Sequence, residues 1–409
     1  MLLETTDIRT YFKVQQGWVR AVDDVSIQLE RGETLGLVGE SGCGKTTLGY
    51  TISQLLPENA YVFTGKVFFK EPSEVRMHRL AYLEKAQQSP DWEGDSVWPL
   101  KEFLRDEYDR LREEEKRLST RVEAGRDRLR EQLREVRRKV EALEERYNLL
   151  SITRLSDGRL REYHPEINKI RWKEISMIFQ GAMNAFNPVH TVGSQIVEAI
   201  LAHEDISEEE CRERVEELYR LVGIPEDRID DYPHEYSGGM GQRAMIAMAL
   251  ALNPALVIAD EPTTALDVIM QDKILGEIAR IQKKLKMAMI IITHDVSVVA
   301  ETADRISVMY AGEVVESGTA REVFKEAGHP YTEGLISAFP SIKGEKKKLE
   351  TIPGNPPSLI KPPSGCRFHP RCKYAKDICK RVNPALVELK DGHVSKCHFA
   401  EELYGSLGG

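Results

Sequence analysis

Apolar residues form short unbroken blocks in two parts of the chain and a spaced stripe between them. Thr34-Leu35-Gly36-Leu37-Val38, Ala255-Leu256-Val257-Ile258-Ala259 and Met289-Ile290-Ile291-Ile292-Thr293 show no polar alternation. Such runs suit parallel strands covered on both faces. Val19 to Leu29 and Glu33 to Val38 have strand character, with Arg31-Gly32 as the turn between them, and Gly65 to Phe69 predicts another strand. Residues 171–325 carry further strands separated by helical stretches and short turns, an α/β pattern.

Between these parts the chain changes character. From 71 to about 170, Glu, Arg, Lys and Leu dominate and glycine is scarce. Leu104, Tyr108, Leu111, Leu118 and Val122 recur three and four apart, with Glu115 at one seam position; after Gly125 the seam resumes as Leu129, Leu133, Val136, Val140, Leu143, Tyr147 and Leu150. That is a heptad-like stripe on a charged helix. One helix over 101–150 would be about 75 Å long, and a glycine in its interior costs about 1 kcal/mol. The spacing therefore favours two antiparallel helices turning at Ala124-Gly125 over a single long one. Beyond 340 the chain turns Lys-rich, then Pro-rich from Pro353 to Pro363, then Cys-bearing. This organisation predicts a domain over 1–340 with an insertion at 71–170, a linker near 341–350, and a small extension within 341–409.

The 409 residues are 41% hydrophobic, enough for a sizeable core, and the net charge of −9 argues against a general nucleic-acid binder. No run of about 18 apolar residues is present to span a bilayer, and the N-terminus has neither the basic nor the apolar region of a secretion signal. A cytosolic chain is expected, with any membrane part supplied by other subunits. Of six cysteines, Cys366, Cys372, Cys379 and Cys397 crowd the C-terminus. In a reducing compartment such crowding points to metal before disulfides.

Candidate chemistry begins after the strand ending at Val38. Gly39-Glu40-Ser41-Gly42-Cys43-Gly44-Lys45-Thr46-Thr47 fits the phosphate-binding P-loop pattern. Glycines let successive backbone N–H groups turn toward phosphate oxygens, and the following helix adds the positive end of its dipole. Lys45 is expected to reach the β- and γ-phosphates and Thr46 to ligate Mg²⁺. Asp260-Glu261 closes the strand 255–259: the first acid is placed to hold Mg²⁺, the second to orient or deprotonate water. Tyr236-Ser237-Gly238-Gly239-Met240-Gly241-Gln242-Arg243 is a second Gly-rich turn before a helix expected over Ala244 to Leu252. One chain does not need two cradles for one triphosphate, so this turn is expected to cap ATP held on another subunit.

These motifs, in this order, resemble the ATPase subunit of an ABC transporter over roughly residues 1–70 and 171–325. The resemblance implies an α/β fold: a P-loop ABC-type ATPase core with a flanking antiparallel β subdomain and a helical subdomain, here with a coiled-coil-like helical insertion and a small Cys-containing C-terminal module. It implies that Gln180 touches Mg²⁺ and water, that Asp267 in Thr264-Ala265-Leu266-Asp267 crosses a dimer interface, and that His294 contacts the γ-phosphate. An aromatic from the first strand region should stack on adenine, Phe12 or Tyr11, with Phe12 slightly favoured. Expected ATP-site residues are thus Gly39, Ser41, Gly42, Cys43, Gly44, Lys45, Thr46 and Thr47, with Ser237, Gly238, Gly239, Gln242 and Asp267. Expected catalytic residues are Glu261, His294, Lys45 and Gln180, and expected Mg²⁺ ligands are Thr46, Gln180 and Asp260.

Finer wording resembles the dipeptide/oligopeptide importer branch: Tyr232-Pro233-His234-Glu235-Tyr236-Ser237-Gly238-Gly239-Met240, Asp260-Glu261-Pro262-Thr263-Thr264-Ala265-Leu266-Asp267-Val268, and His329-Pro330-Tyr331-Thr332. Membership implies a peripheral subunit on the cytoplasmic face of the membrane. Its partners would be a sister ATPase as heterodimer, two integral permeases and an extracytoplasmic solute-binding protein, without nucleic acid. Oligosaccharide or another solute is the alternative cargo. The helical insertion departs from the branch, and either binds a partner or is a tolerated insertion at an exposed tip. A DNA-repair ATPase also splits its motifs with a coiled coil, but this coil is far too short and its tip, Glu123-Ala124-Gly125-Arg126, lacks a Cys-x-x-Cys hook.

Five, six and seventeen residues separate the four C-terminal cysteines, unlike zinc-finger pairs. Four thiolates suit a [4Fe–4S] cluster or a tetrahedral Zn²⁺, with free or disulfide-linked cysteines as the alternative; in the importer branch this pattern is associated with a [4Fe–4S] cluster in some members. His369, His393 and His398 are expected to be solvent-exposed rather than ligands.

Overall fold

The computed structural model describes residues 1–70, 117, 170–181, 185–263, 268–338 and 352–404. The proposed helical insertion, the Thr264–Asp267 stretch and the linker near 341–350 lie outside these residues. A three-stranded antiparallel sheet opens the chain, built from β1 (Leu3–Val14), β2 (Gly17–Leu29) and, after the P-loop unit, β4 (Ala60–Phe69), in the order β2-β1-β4. This is the flanking sheet expected, although the hairpin strands run longer than the apolar blocks suggested.

Between them, β3 (Thr34–Val38) leads into α1 (Lys45–Ile52). β3 is the centre of an eight-stranded sheet with β5 (Ile175–Ile178), β6 (Leu256–Asp260), β7 (Ala288–Thr293), β8 (Arg305–Tyr310) and β9 (Glu313–Thr319). The strands β8, β3, β7, β6 and β5 pair side by side and parallel. Their unbroken apolar sequence follows from this placement, because alternate side chains enter two different cores. Leu35, Leu37, Ile258, Ile290 and Ile292 pack with Leu48 of α1 and with Leu3 and Ile8 of the small sheet. Val257, Ala259, Met289 and Ile291 pack on the opposite face. That second core is closed by helices α2 (Val192–Leu201), α3 (Glu208–Val222), α4 (Gly238–Leu250), α5 (Val268–Leu285) and α6 (Val296–Thr302).

The helical subdomain is locally specified. Ser207 and Glu210 form a reciprocal capping box at the start of α3, and Gly223 ends that helix in a left-handed conformation. α4 starts at Gly238 rather than Ala244, because Ser237 caps it.

The C-terminal extension joins the main sheet. After α7 (Ala320–Lys325) and α8 (Pro330–Ser337), strands β10 (Val387–Lys390) and β11 (His393–Ser395) add to its edge, β11 pairing antiparallel with β9. His393, expected at the surface, is instead completely buried: its Nε2 lies 2.8 Å from Glu316 Oε1, and neither side chain is exposed. The correction has a simple cause. β11 covers β9, so a histidine beside it enters the interior, where the carboxylate of Glu316 supplies its partner.

His329 is the N-cap of α8. Its Nδ1 accepts the N–H of Tyr331 at 3.0 Å, and its main-chain N–H donates to Glu316 Oε2 at 2.9 Å. Complete burial pushes its pKa down to about 3. The imidazole stays neutral when folded but titrates near 6.5 when unfolded, so its contribution is intact above that pH and is lost as pH falls from 6.5 toward 3, by about 1.4 kcal/mol per unit. Asparagine can cap the same helix without titrating. His329→Asn should therefore lose less Tm than the parent between pH 7.5 and pH 5; equal losses in thermal melts would refute this.

Candidate active site

The phosphate loop is shaped by backbone that other residues adopt poorly. Gly39, Gly42 and Gly44 have φ of 152°, 77° and 107°. A Cβ at Gly44 would collide with the Ala21 carbonyl, and one at Gly39 with the Met309 carbonyl. The turn thus needs glycine both for conformation and for close approach. Lys45 is buried and its Nζ donates to the carbonyls of Gly39 at 2.7 Å and Glu40 at 3.0 Å, with Cys43 Sγ at 3.7 Å. The Cys43 thiol is buried, and burial raises its pKa despite the neighbouring ammonium.

Three strand ends bring the remaining groups to this loop. Thr46 Oγ1 donates to Asp260 Oδ1 at 2.9 Å. Asp260 is 1% exposed, and burial holds its carboxyl above the usual range, against the Thr46 hydrogen bond and the nearby Lys45 charge; Glu261 adds to the rise. A buried carboxylate beside a hydroxyl is a hard oxygen donor set that gains from a divalent cation. Glu261 takes a left-handed φ of 46°, uncommon for a non-glycine residue and costly in backbone energy. Its N–H donates to the Ile292 carbonyl at 2.8 Å, which pins it to the end of β7. Its two carboxylate oxygens are 3.0 Å from Gln180 Nε2 and from His294 Nδ1. Gln180 follows β5, Glu261 follows β6 and His294 follows β7, so three residues predicted separately meet at one carboxylate. Such a group can orient and deprotonate water.

The ABC transporter family pattern matches residues 22–164 and 154–264, and the oligopeptide/dipeptide transporter C-terminal region matches residues 315–379. The oligopeptide transport ATP-binding protein OppD of Bacillus subtilis (strain 168) is 37% identical over 399 residues, 97% of this chain and 88% of that protein. The dipeptide transport ATP-binding protein DppD of Escherichia coli (strain K12) is 36% identical over 400 residues, 97% of this chain and 96% of that one. The chain belongs to the oligopeptide/dipeptide family of ABC transporter ATP-binding proteins. The solved dimer of MJ0796, a bacterial ABC transporter cassette, shares the fold with TM-score 0.51 at 21% identity, over 78% of this chain and 99% of that one. As an ABC ATPase, this protein uses ATP with Mg²⁺.

Other predicted positions in this ABC ATPase are placed less directly at the loop. Ser237 and Gly238 are exposed at the start of α4, where the Ser237 hydroxyl accepts the Met240 N–H at 3.3 Å. Gly239 lies against the end of the flexible Met270 side chain, which would have to shift to admit a Cβ. Gln242 is buried within α4, and its Nε2 has no hydrogen-bond partner among the described residues. Asp267 lies outside the described residues.

Of the two aromatic candidates, Tyr11 is already engaged: its hydroxyl donates to Asp23 at 2.6 Å, and its ring lies 4.7 Å from that of Phe63. Phe12 is the next residue of β1 and so stands on the opposite face of the strand. Trp18, not among the predicted aromatics, is 37% exposed at the hairpin tip and packs T-shaped with Tyr61 and Phe63.

All four C-terminal cysteines line a single pocket, together with His329, Phe368 and other side chains. They are unpaired. Burial pushes the Cys366 thiol up to about 12 and the Cys372 thiol up to about 11, with neighbouring cysteines adding to both. Among the described residues, no three His, Cys, Asp or Glu side chains form a group that could hold a single metal ion.

Replacing Glu261 with glutamine keeps its shape but removes the charge that Gln180 and His294 hold. Glu261→Gln should bind ATP like the parent while its turnover falls on the order of 10²–10⁴-fold. Brisk phosphate release by that variant would defeat the assignment of Glu261 as base.

Proposed function

We propose that this protein is the ATP-hydrolysing subunit that powers import of di- and oligopeptides through partner permeases. The observation that carries this is the meeting of Gln180, Glu261 and His294 beside the P-loop, in a chain whose relatives are named for oligopeptide and dipeptide transport. Thr46, Asp260 and Gln180 would hold Mg²⁺, which would supply positive charge to offset the charge of a bound triphosphate. Lys45 leaves its own loop carbonyls for phosphate oxygens, Glu261 takes the proton of the attacking water, and His294 holds that carboxylate in place. Positioning and electrostatics account for most of such a reaction.

The exposed Ser237-Gly238 turn serves ATP bound to a second ATPase, a sister subunit whose own turn returns the favour. Asp267 crosses that interface, and Phe12, Tyr11 or the exposed Trp18 meets the adenine. No helix among the described residues is long and apolar enough to cross a membrane, so attachment to the cytoplasmic face comes through the permeases. ATPase activity of the complex reconstituted with its permeases and solute-binding protein should rise severalfold with a peptide mixture. Stimulation by oligosaccharides and not by peptides would overturn the cargo.

The four cysteines would hold a [4Fe–4S] cluster. Their convergence on one pocket supports this, and four thiolates suit such a cluster. Protein purified without oxygen should be brown and contain iron and acid-labile sulfide. A colourless, zinc-loaded sample would refute the cluster.

A further inference from the structure

Glu40, the second residue of the phosphate loop, has every polar group engaged. Its N–H donates to the Tyr331 hydroxyl at 2.9 Å, and its carbonyl accepts from Lys45 Nζ at 3.0 Å. Its carboxylate receives both arms of the Arg371 guanidinium, Nη1 to Oε2 at 2.6 Å and Nη2 to Oε1 at 2.9 Å. Arg371 comes from the C-terminal extension, in the turn between Cys366 and Cys372. Its side chain is 5% exposed. Nε donates to the Pro353 carbonyl at 2.8 Å, Nη2 also reaches the Gly354 carbonyl at 3.3 Å, and Nη1 lies 3.4 Å from the Tyr310 hydroxyl. The guanidinium is therefore held from several sides and its fork is committed to Glu40.

A carboxylate is an awkward group in the wall of a loop that must accept a triphosphate. Unpaired, it would add a negative charge to the loop that receives the phosphates. A bidentate guanidinium cancels that charge, and it also fixes the carboxylate away from free rotation. Tyr331 holds the backbone of the same residue, so the C-terminal region grips both the main chain and the side chain of Glu40.

We propose that Arg371 is a positioning residue for nucleotide binding, which neutralises and pins Glu40 so that the phosphate loop presents no free negative charge to ATP. The cysteine-bearing extension thereby contributes to the nucleotide site of its own chain. The proposal rests on the ATPase reading, and binding of ATP by the parent, measured in the same titration, separates failure of that reading from failure of this one.

The test is equilibrium binding of a fluorescent ATP analogue with Mg²⁺, alongside kcat at saturating ATP. Arg371→Ala should raise Kd roughly tenfold by leaving the Glu40 carboxylate unpaired, with kcat within about twofold of the parent. Adding Glu40→Gln to Arg371→Ala should restore most of the lost affinity, which a merely structural defect in the extension would not allow. Lys373→Ala, two positions further along but paired with Glu333 at the surface, should leave Kd unchanged. A parental Kd in Arg371→Ala, or a double variant as weak as the single, overturns the proposal. Should Arg371→Ala not fold, Arg371→Lys keeps the charge but loses the fork; it should raise Kd by about threefold and be relieved by Glu40→Gln in the same way, and a parental Kd there overturns the proposal equally.

Discussion

Parallel pairing of β5, β6, β7 and β3 is the constraint on which the catalytic arrangement depends. The register sets Ile178 opposite Ala259, Asp260 opposite Ile292, and Val38 opposite Thr293. The residues that leave these strands are Gln180, Glu261, His294 and Gly39, so all four loops emerge at the same edge of the sheet. Ligands of open α/β sheets collect outside the carboxyl ends of the strands for this reason. Both faces of the sheet are filled, and a one-residue slip would send each side chain into the wrong core. The two cores therefore protect the alignment of the site.

The site itself is held in a state prepared for charge. Lys45 spends its protons on loop carbonyls, Asp260 is buried beside a hydroxyl and a nearby ammonium, and Glu261 sits in a strained conformation between an amide and an imidazole. Phosphate and a divalent cation satisfy the first two groups better than the protein does. The strain at Glu261 is maintained by its hydrogen bond to the end of β7, which couples the base to the neighbouring strand.

The C-terminal extension is tied into the ATPase core by charge as well as by strand pairing. Arg367 pairs with Asp23 on β2 and lies 3.5 Å from Glu313 on β9, and Arg371 pairs with Glu40, while His393 hydrogen-bonds Glu316. Removing one member of a pair buried on both sides, such as Arg367 and Asp23, strands its partner without compensation, at a cost of roughly 3–5 kcal/mol. The extension and the core consequently depend on each other's charges.

Local signals were sufficient wherever a few consecutive residues carry the physics. The glycine spacing and lysine of 39–47 specify a phosphate loop, unalternated blocks specify strands covered on both faces, and the ordered motifs identify the family. Gln180, Glu261 and His294 were legible as separate positions, but their shared carboxylate was not. The burial of His393, the engagement of Tyr11 by Asp23, and the grip of Arg371 on Glu40 were equally illegible. These pairings join residues that lie far apart along the chain, 331 positions in the last case, and no local spacing encodes them. Sequence alone thus determined which chemical groups the protein possesses and what backbone carries them. Which charges meet was decided by tertiary structure, because sheet order and register set the distances over which electrostatic and hydrogen-bonding forces act.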